Sequence, residues 1–209
     1  IRDVILSSWK RCKQLNVNPN WSQSQLVYFN ERELLEKKEE NKFLMKIATP
    51  VLEEMSKNSF CENLLFVLCD PQGVILDGKG ASYGWGRAEP HHFLPGADWS
   101  EKSAGTNAIG TALESGQPIQ VFAAEHFCEA LQSYVCSAAP IKDPLTNKTL
   151  GVLDITGEKE TIEAHNLQYV ISQAKKIEHH LTLLLEKENV MTLKAIADAF
   201  EEPFVVIDI

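Results

Sequence analysis

The sequence predicts an α+β fold, an antiparallel sheet flanked by helices from both ends of the chain. Three observations predict it. Residues 31–57 carry apolar side chains mostly at three- and four-residue steps: Leu34, Leu35, Leu44, Ile47, Val51, Leu52 and Met55. From residue 64 the pattern changes to short apolar runs separated by turn residues. A helical period then returns at 162 and runs to about residue 200.

Taken in order, residues 1–15 read as a short helix. Val4, Ile5, Leu6 and Trp9 form its apolar stripe, Lys10 and Arg11 lie towards the polar side, and the stretch 16–20 with Pro19 ends it. A longer helix spans 31–57, with Pro50 expected to end or kink it. The run 64–69, the turn Asp70-Pro71-Gln72-Gly73 and the run 74–76 make a hairpin with a buried first strand. Residues 78–98, rich in Gly and aromatics, read as a loop or short helix. Residues 105–114 suit a helix closed by Ser115-Gly116. A strand at 118–122, a short helix at 125–132, and strands at 134–141 and 149–156 complete a five-stranded sheet. In the last helix Leu167, Val170, Ala174, Ile177, Leu181 and Leu184 step 3-4-3-4-3, a heptad seam that Glu188 interrupts and Met191 resumes. That seam fits a coiled coil and fits equally a helix packed on its own sheet. Glu202-Pro203 opens a new apolar strand, 204–209.

The chain has 209 residues, 20 basic and 29 acidic, for a net charge of −9; 44% are hydrophobic and 23% charged. This is a globular composition. The acidic balance argues against a nucleic-acid surface. No run reaches the roughly 20 apolar residues of a membrane span. No signal peptide is visible, and the start without Met reads as a trimmed fragment. Five scattered cysteines fit reduced thiols better than a disulfide framework, and without a C-x-x-C pair a structural zinc site of the usual spacing is not expected.

The candidate chemistry is sparse. Gly105 and Gly110 have phosphate-loop spacing, but Thr111 stands where the lysine belongs. A helix start capped by Ser103 or Thr106, with glycines for close packing, explains the segment better. His126, Cys128 and Cys136 form an H-x-C…C set of metal-ligand types. It lacks the Glu and P-C-x-x-C of a zinc deaminase. A Cys nucleophile beside His126 has no third orienting residue. His91-His92 lies in the aromatic loop with Trp85, Phe93 and Trp99, and His179-His180 lies on the polar side of the long helix. Arg11 and the Lys/Glu mix of 36–42 read as exposed faces. Strand 150–156 alternates: Leu153 and Ile155 face one way, Val152, Asp154 and Thr156 the other. An acid among apolar neighbours needs a partner, so Asp154 is tied to a backbone amide or aimed into a polar pocket. The neighbouring strand sets Tyr134, Cys136 and Ala138 on one face.

Residues 95–113 (PGADWSEKSAGTNAIGTAL) resemble the GAF domain of bacterial sigma-54-dependent transcriptional activators of the acetoin catabolism regulator (AcoR) type. PIQVF at 118–122, EHFC at 125–128, CSAAPI at 136–141 and GVLDITG at 151–157 continue the resemblance in the same order, and SWKRC at 8–12 is similar to the family's N-terminal helix. One departure is Tyr134, where members commonly have Trp. The resemblance implies N-terminal helices over 1–57, a GAF sensory domain over 58–160, a signalling helix over 161–192 and the opening of a PAS domain over 193–209. It implies a cytoplasmic regulator that continues into an AAA+ ATPase acting on sigma-54 RNA polymerase and a helix-turn-helix DNA-binding domain. Neither is present in this chain, which has no Walker-type Gly-Lys-Ser/Thr and no basic recognition helix.

The expected function is therefore the sensing of a small-molecule effector, with no cofactor, no membrane partner and a homodimer formed through the long helix. The expected lining is Trp85, Trp99, Phe122, Phe127 and Tyr134 as walls, with Cys136, and Thr106, His126 and Asp154 as polar anchors. A ligand of about six heavy atoms binds with at most ~9 kcal/mol, so the two signalling states must lie close in energy. The alternatives are a protein-interaction module and a redox or metal sensor using Cys128, Cys136 and His126. An enzyme is not expected, because no complete catalytic constellation is present.

Overall fold

The structure, a computed structural model, describes residues 1–20, 27–57, 64–80, 93–160 and 165–200, the side chains of 196–200 excepted. Trp85, the His91-His92 pair and the strand expected at 204–209 lie outside the described residues. The N-terminal part is α1 (Asp3–Gln14), α2 (Glu31–Glu40) and α3 (Lys42–Ser56). The hairpin β1 (Leu65–Cys69) and β2 (Ile75–Gly80) follows, then the short helices α4 (Glu101–Ala104) and α5 (Ala108–Ser115). Strands β3 (Ile119–Phe122), β4 (Tyr134–Lys142) and β5 (Thr149–Glu158) lead into α6 (His165–Phe200).

The region expected to be one helix from 31 to 57 is two, and the break is at Asn41 rather than Pro50. Asn41 sits at φ −103°, ψ 15°, and its side chain donates to the Lys37 carbonyl at 2.9 Å, closing α2. Pro50 lies inside α3. A proline there costs about 3 kcal/mol through its missing donor and its clash with the preceding turn. Val51, Leu52 and Met55, just beyond it, are buried against the sheet. At about 1.5–3 kcal/mol each, they outweigh the proline and hold the helix together. No such packing bridges Asn41, because α2 buries no residue.

The five strands form one antiparallel sheet in the order β2-β1-β5-β4-β3. The expected α+β class and strand count are both present. The period-2 alternation divides the sheet into two packed faces. Phe66, Leu68, Ala139, Ile141, Leu153 and Ile155 meet α3 and α6 on one face. Val67, Cys69, Val121, Cys136, Ala138 and Val152 face α1, α4, α5 and the segment around Trp99 on the other. Gly151 allows α3 and the sheet to close up: a Cβ there would lie 2.4 Å from the Cys69 carbonyl oxygen and 2.8 Å from Leu44 Cδ2.

The long helix α6 has two halves with different surroundings. Val170, Ala174, Ile177 and Leu181 are buried against the sheet and α3. The first heptad positions are thus occupied within the chain, as for an amphipathic helix on its own sheet. Beyond Leu181, Leu184 and Leu185 are part-buried, whereas Leu183, Val190 and Met191 are open, 49%, 65% and 63% exposed.

Candidate functional site

Asp154 sits on β5, the central strand. Val67 of β1 and Ala138 of β4 lie opposite it, so it is surrounded by small and apolar side chains. It is fully buried. Its Oδ2 accepts from the Thr156 hydroxyl at 2.7 Å, whereas its Oδ1 is buried without a hydrogen-bond partner. Burial, opposed only by the Thr156 bond, pushes the carboxyl up to about 7. A half-satisfied carboxyl in an apolar wall is costly, and its second oxygen is left open to a hydrogen-bond donor.

The cover over this face is built from α1, α4 and α5. Glu101, 2% exposed, receives the Arg11 guanidinium as a two-pronged fork: Nε donates to Oε2 at 2.7 Å and Nη2 to Oε1 at 2.8 Å. The Glu101 bond is the leading cause that raises the Arg11 guanidinium further above its ordinary value. The hydroxyls of Ser8 and Thr111 also donate to Glu101 Oε1, at 2.6 and 3.0 Å, and Ser8 Oγ lies 2.6 Å from Thr106 Oγ1. Arg11 is therefore not the exposed surface residue that amphipathicity alone suggested. Ser8, Arg11 and Cys12 stand at i, i+3 and i+4 on one face of α1, a spacing that marks a shared partner.

The glycine-bearing segment 105–111 is a capped helix start, as the missing lysine implied. Its cap is Asn107, which accepts from the Gly110 amide at 2.9 Å, not Ser103 or Thr106. The Asn107 side chain also donates to the carbonyls of Trp99 and Gly105, at 3.0 and 2.8 Å. Gly110 lets α5 press on α4, since a Cβ there would lie 2.6 Å from the Glu101 nitrogen. Thr106 is free of capping and faces Ser8.

The expected lining residues divide into three groups. Trp99, Phe127, Tyr134 and Cys136 belong to or pack on the same apolar cluster below the cover, and Asp154 lies on that face of the sheet. Trp99 stacks on Phe93 with centroids 3.9 Å apart and planes 14° apart. Thr106 is buried, but its hydroxyl is engaged with α1. Phe122 is 45% exposed at the end of the edge strand β3 and stands apart from the others. Its backbone amide donates to Glu125 there.

His126 is 1% exposed. Its Nδ1 lies 3.0 Å from the carbonyl oxygen of Ala123, a residue held at φ 36°. A carbonyl only accepts, so Nδ1 carries the proton and Nε2 is an acceptor. Nε2 is buried without a partner, and burial pushes the imidazole down to about 4, leaving it neutral at pH 7. Cys128 is held near the Ala104 carbonyl at 3.4 Å, and burial raises its thiol to about 12. Burial, with Asp154 next, raises the Cys136 thiol well above its ordinary value. Protonated, enclosed thiols are poor nucleophiles and poor metal ligands. Among the described residues no three His, Cys, Asp or Glu side chains converge on a metal position. The metal-sensor arrangement of His126, Cys128 and Cys136 is thus not assembled.

One face of the sheet is covered by α1, α4 and α5 around a buried carboxyl, the other packs against α3 and α6, and the sequence places the chain among the N-terminal regulatory regions of transcriptional activators. The chain belongs to the MimR N-terminal domain family, which matches residues 1–179. It is 32% identical over 181 residues to the acetoin dehydrogenase operon transcriptional activator AcoR of Bacillus subtilis, covering 87% of this chain and 30% of that protein. It is 31% identical over 203 residues to the propane 2-monooxygenase operon transcriptional activator MimR of Mycolicibacterium smegmatis, covering 96% and 32%. The chain thus spans about a third of the length of these curated relatives. The fold is that of the E. coli DhaR(N) protein solved in complex with DhaL, with a TM-score of 0.87 at 20% identity over 97% of this chain and 69% of that one. Among the described residues no helix is long and apolar enough to cross a membrane.

Proposed function

We propose that this chain is the effector-sensing, GAF-type region of a sigma-54-dependent activator. It binds a small metabolite between the Asp154 face of the sheet and the cover formed by α1, α4 and α5. The observation that carries this reading is the buried, unpartnered Oδ1 of Asp154 on the central strand. The walls are Trp99, Phe127, Tyr134 and Cys136; His126 is a second polar anchor, and Trp85 completes the expected set. Relatives named for the propane 2-monooxygenase and acetoin dehydrogenase operons support an effector of three or four carbons. In the whole protein, α6 carries the change towards an ATPase and a DNA-binding domain, passing a PAS segment that begins near residue 193. The exposed Leu183, Val190, Met191 and Leu193 support pairing of two copies through the second half of α6. Isothermal titration and thermal melting with small diols, alcohols and ketones test the reading. Absence of both heat and melting shift across that set refutes it.

A second reading, a module that binds a protein, draws support from one feature. A groove of about 200 Å³ between α3 and α6 is lined by Ile47, Pro50 and Val51, with Lys46, Glu54, Lys176 and His180 at its rim. DhaR(N), of the same fold, was solved with a protein bound. An Ile47→Asp variant that responds normally to effector in the full-length regulator removes this reading.

A further inference from the structure

The helix α1 is fastened to the body of the chain in a different way from α3. Of its 12 residues only Ile5, Ser8 and Cys12 are buried, and Ser8 is polar. In α3, by contrast, Leu44, Ala48, Val51, Leu52 and Met55 are buried, all of them apolar. What holds α1 is polar, and it converges on two carboxylates of the body. At one end Arg2 forks onto Glu125, with Nε donating to Oε1 at 3.0 Å and Nη2 to Oε2, and the Trp9 indole donates to the Glu125 carbonyl at 2.8 Å. At the other end Arg11 and Ser8 hold Glu101.

The chain just after α1 is pinned. The Glu129 amide donates to the Pro19 carbonyl at 2.9 Å, and the Cys128 thiol lies 3.6 Å from the Asn18 carbonyl oxygen. Between the helix and this anchor stands Asn16, at φ 56°. That left-handed conformation is one that asparagine visits more readily than other side chains. Residues at the ends of elements absorb the dihedral changes of a hinge.

We propose that α1 is a hinged strap. It swings as a unit about Asn16, releases Glu101 and Glu125 together, and uncovers the apolar cluster beneath it while the sheet stays folded. This goes beyond the effector-sensing reading and does not depend on it.

The chemistry of the contacts separates this opening from unfolding. Arg2, Arg11, the two carboxylates and the Ser8 hydroxyl all regain water when α1 lifts, so much of the lost bonding is replaced. Lifting α3 would bare its five buried apolar side chains, with no such replacement. From α1 the fully buried Ile5 leaves the cluster, with Val4 and Trp9 partly buried beside it. The cluster it uncovers holds Trp99, Ile109 and Val121. A segment with few buried apolar contacts is the kind that opens sub-globally.

Two thiols report the two events. Cys12 is buried under α1, its Sγ 3.4 Å from Thr106 Oγ1, and Cys69 is buried on β1. The test is labelling of the 209-residue chain by N-ethylmaleimide in a series of sub-denaturing urea concentrations, resolved by peptide mass, with rates proportional to reagent. Cys12 is expected to react at least about ten-fold faster than Cys69, with a shallower urea dependence. Leu181→Ala lies on the opposite face of the sheet and weakens the open and closed forms alike. It is expected to speed Cys69 by at least about ten-fold and to leave Cys12 within about two-fold. Arg2→Gln, at the far end of α1 from Cys12, is expected to speed Cys12 about two- to five-fold, because both forks release together. If Leu181→Ala does not fold, the milder Ile177→Val takes its place, with about a two-fold or greater effect on Cys69. Equal rates and equal urea slopes for Cys12 and Cys69 overturn the strap, since α1 then leaves only with the whole fold. Equal acceleration of both thiols by the Leu181 or Ile177 variant overturns it likewise. A Cys12 rate unmoved by Arg2→Gln overturns the swing as a unit.

Discussion

Replacing Asp154 by Asn separates the electrostatic cost of the carboxyl from its shape. Burial moves the group from its ordinary value of 3.8 to about 7 in the folded chain. At about 1.4 kcal/mol per pKa unit, that gap amounts to about 4 kcal/mol. The sign follows from proton counting. From about pH 4 to pH 7 the folded chain holds a proton that the unfolded chain has released, so stability from this group is full at low pH and lost as pH rises through about 7. Asn has no such cost at any pH, and its carbonyl still accepts from Thr156. Its amide leaves a buried donor unpaired where Oδ1 stood, at a cost of about 1–3 kcal/mol. The variant should therefore be less stable than the wild type near pH 4, by about 1–3 kcal/mol, and more stable by a similar amount near pH 8.5. For a chain of this size the shift at high pH is about 2–12 °C in Tm. Melting curves followed by circular dichroism from pH 4 to 8.5, without added effector, read the crossover. His126 and the surface carboxylates titrate in both chains and cancel in the difference. Curves that stay parallel over the whole range would refute the buried, half-satisfied carboxyl.

Other substitutions probe the remaining contacts. Gly151→Ala puts a methyl 2.4 Å from the Cys69 carbonyl oxygen and should cost about 1–3 kcal/mol by urea unfolding. Glu101→Ala removes the partner of Arg11 and of two hydroxyls. With Arg11 still one-third exposed, the expected loss is about 3 kcal/mol, and exchange protection should fall first in α1. Leu181→Ala should cost about 2–5 kcal/mol, whereas Leu183→Ala, two residues on and half exposed, should leave unfolding of the single chain unchanged. His126→Gln should make the protein less sensitive to acid. The wild-type imidazole is held neutral down to about 4, so its contribution is full above about pH 6.5 and disappears as pH falls through about 4.

Much of the fold is legible in the residues because the periods are clean. The alternation of Val152 to Thr156 sets Asp154 among apolar neighbours, and in the structure it faces Val67 and Ala138. Leu167, Val170, Ala174, Ile177 and Leu181 were ambiguous for a physical reason. A helix lying on a sheet and a helix lying on a second helix use the same apolar spacing, and only burial tells them apart. The break at Asn41 was hidden because good helix formers flank it and its cause is a lack of packing. The sequence does not reveal the role of Arg11, because a charged side chain on an amphipathic helix normally faces water. Its partner, Glu101, lies 90 residues away in a run of polar residues, where nothing local marks it as buried. Thr106 had the composition of a cap, but Asn107 competes for the same amides and prevails, which frees the threonine hydroxyl for α1.

The division of α6 at Leu181 has a mechanical consequence. The helix has 36 residues and is about 54 Å long. Its first half is clamped between the sheet and α3, while the half from 182 to 200 projects about 28 Å beyond the last buried contact. A tilt of about 5° at the clamp, small enough to leave side-chain packing intact, displaces the far end by about 2.5 Å. On the proposed sensor reading the sheet is a fulcrum: a small change of angle in the clamped half becomes a displacement at the far end of α6.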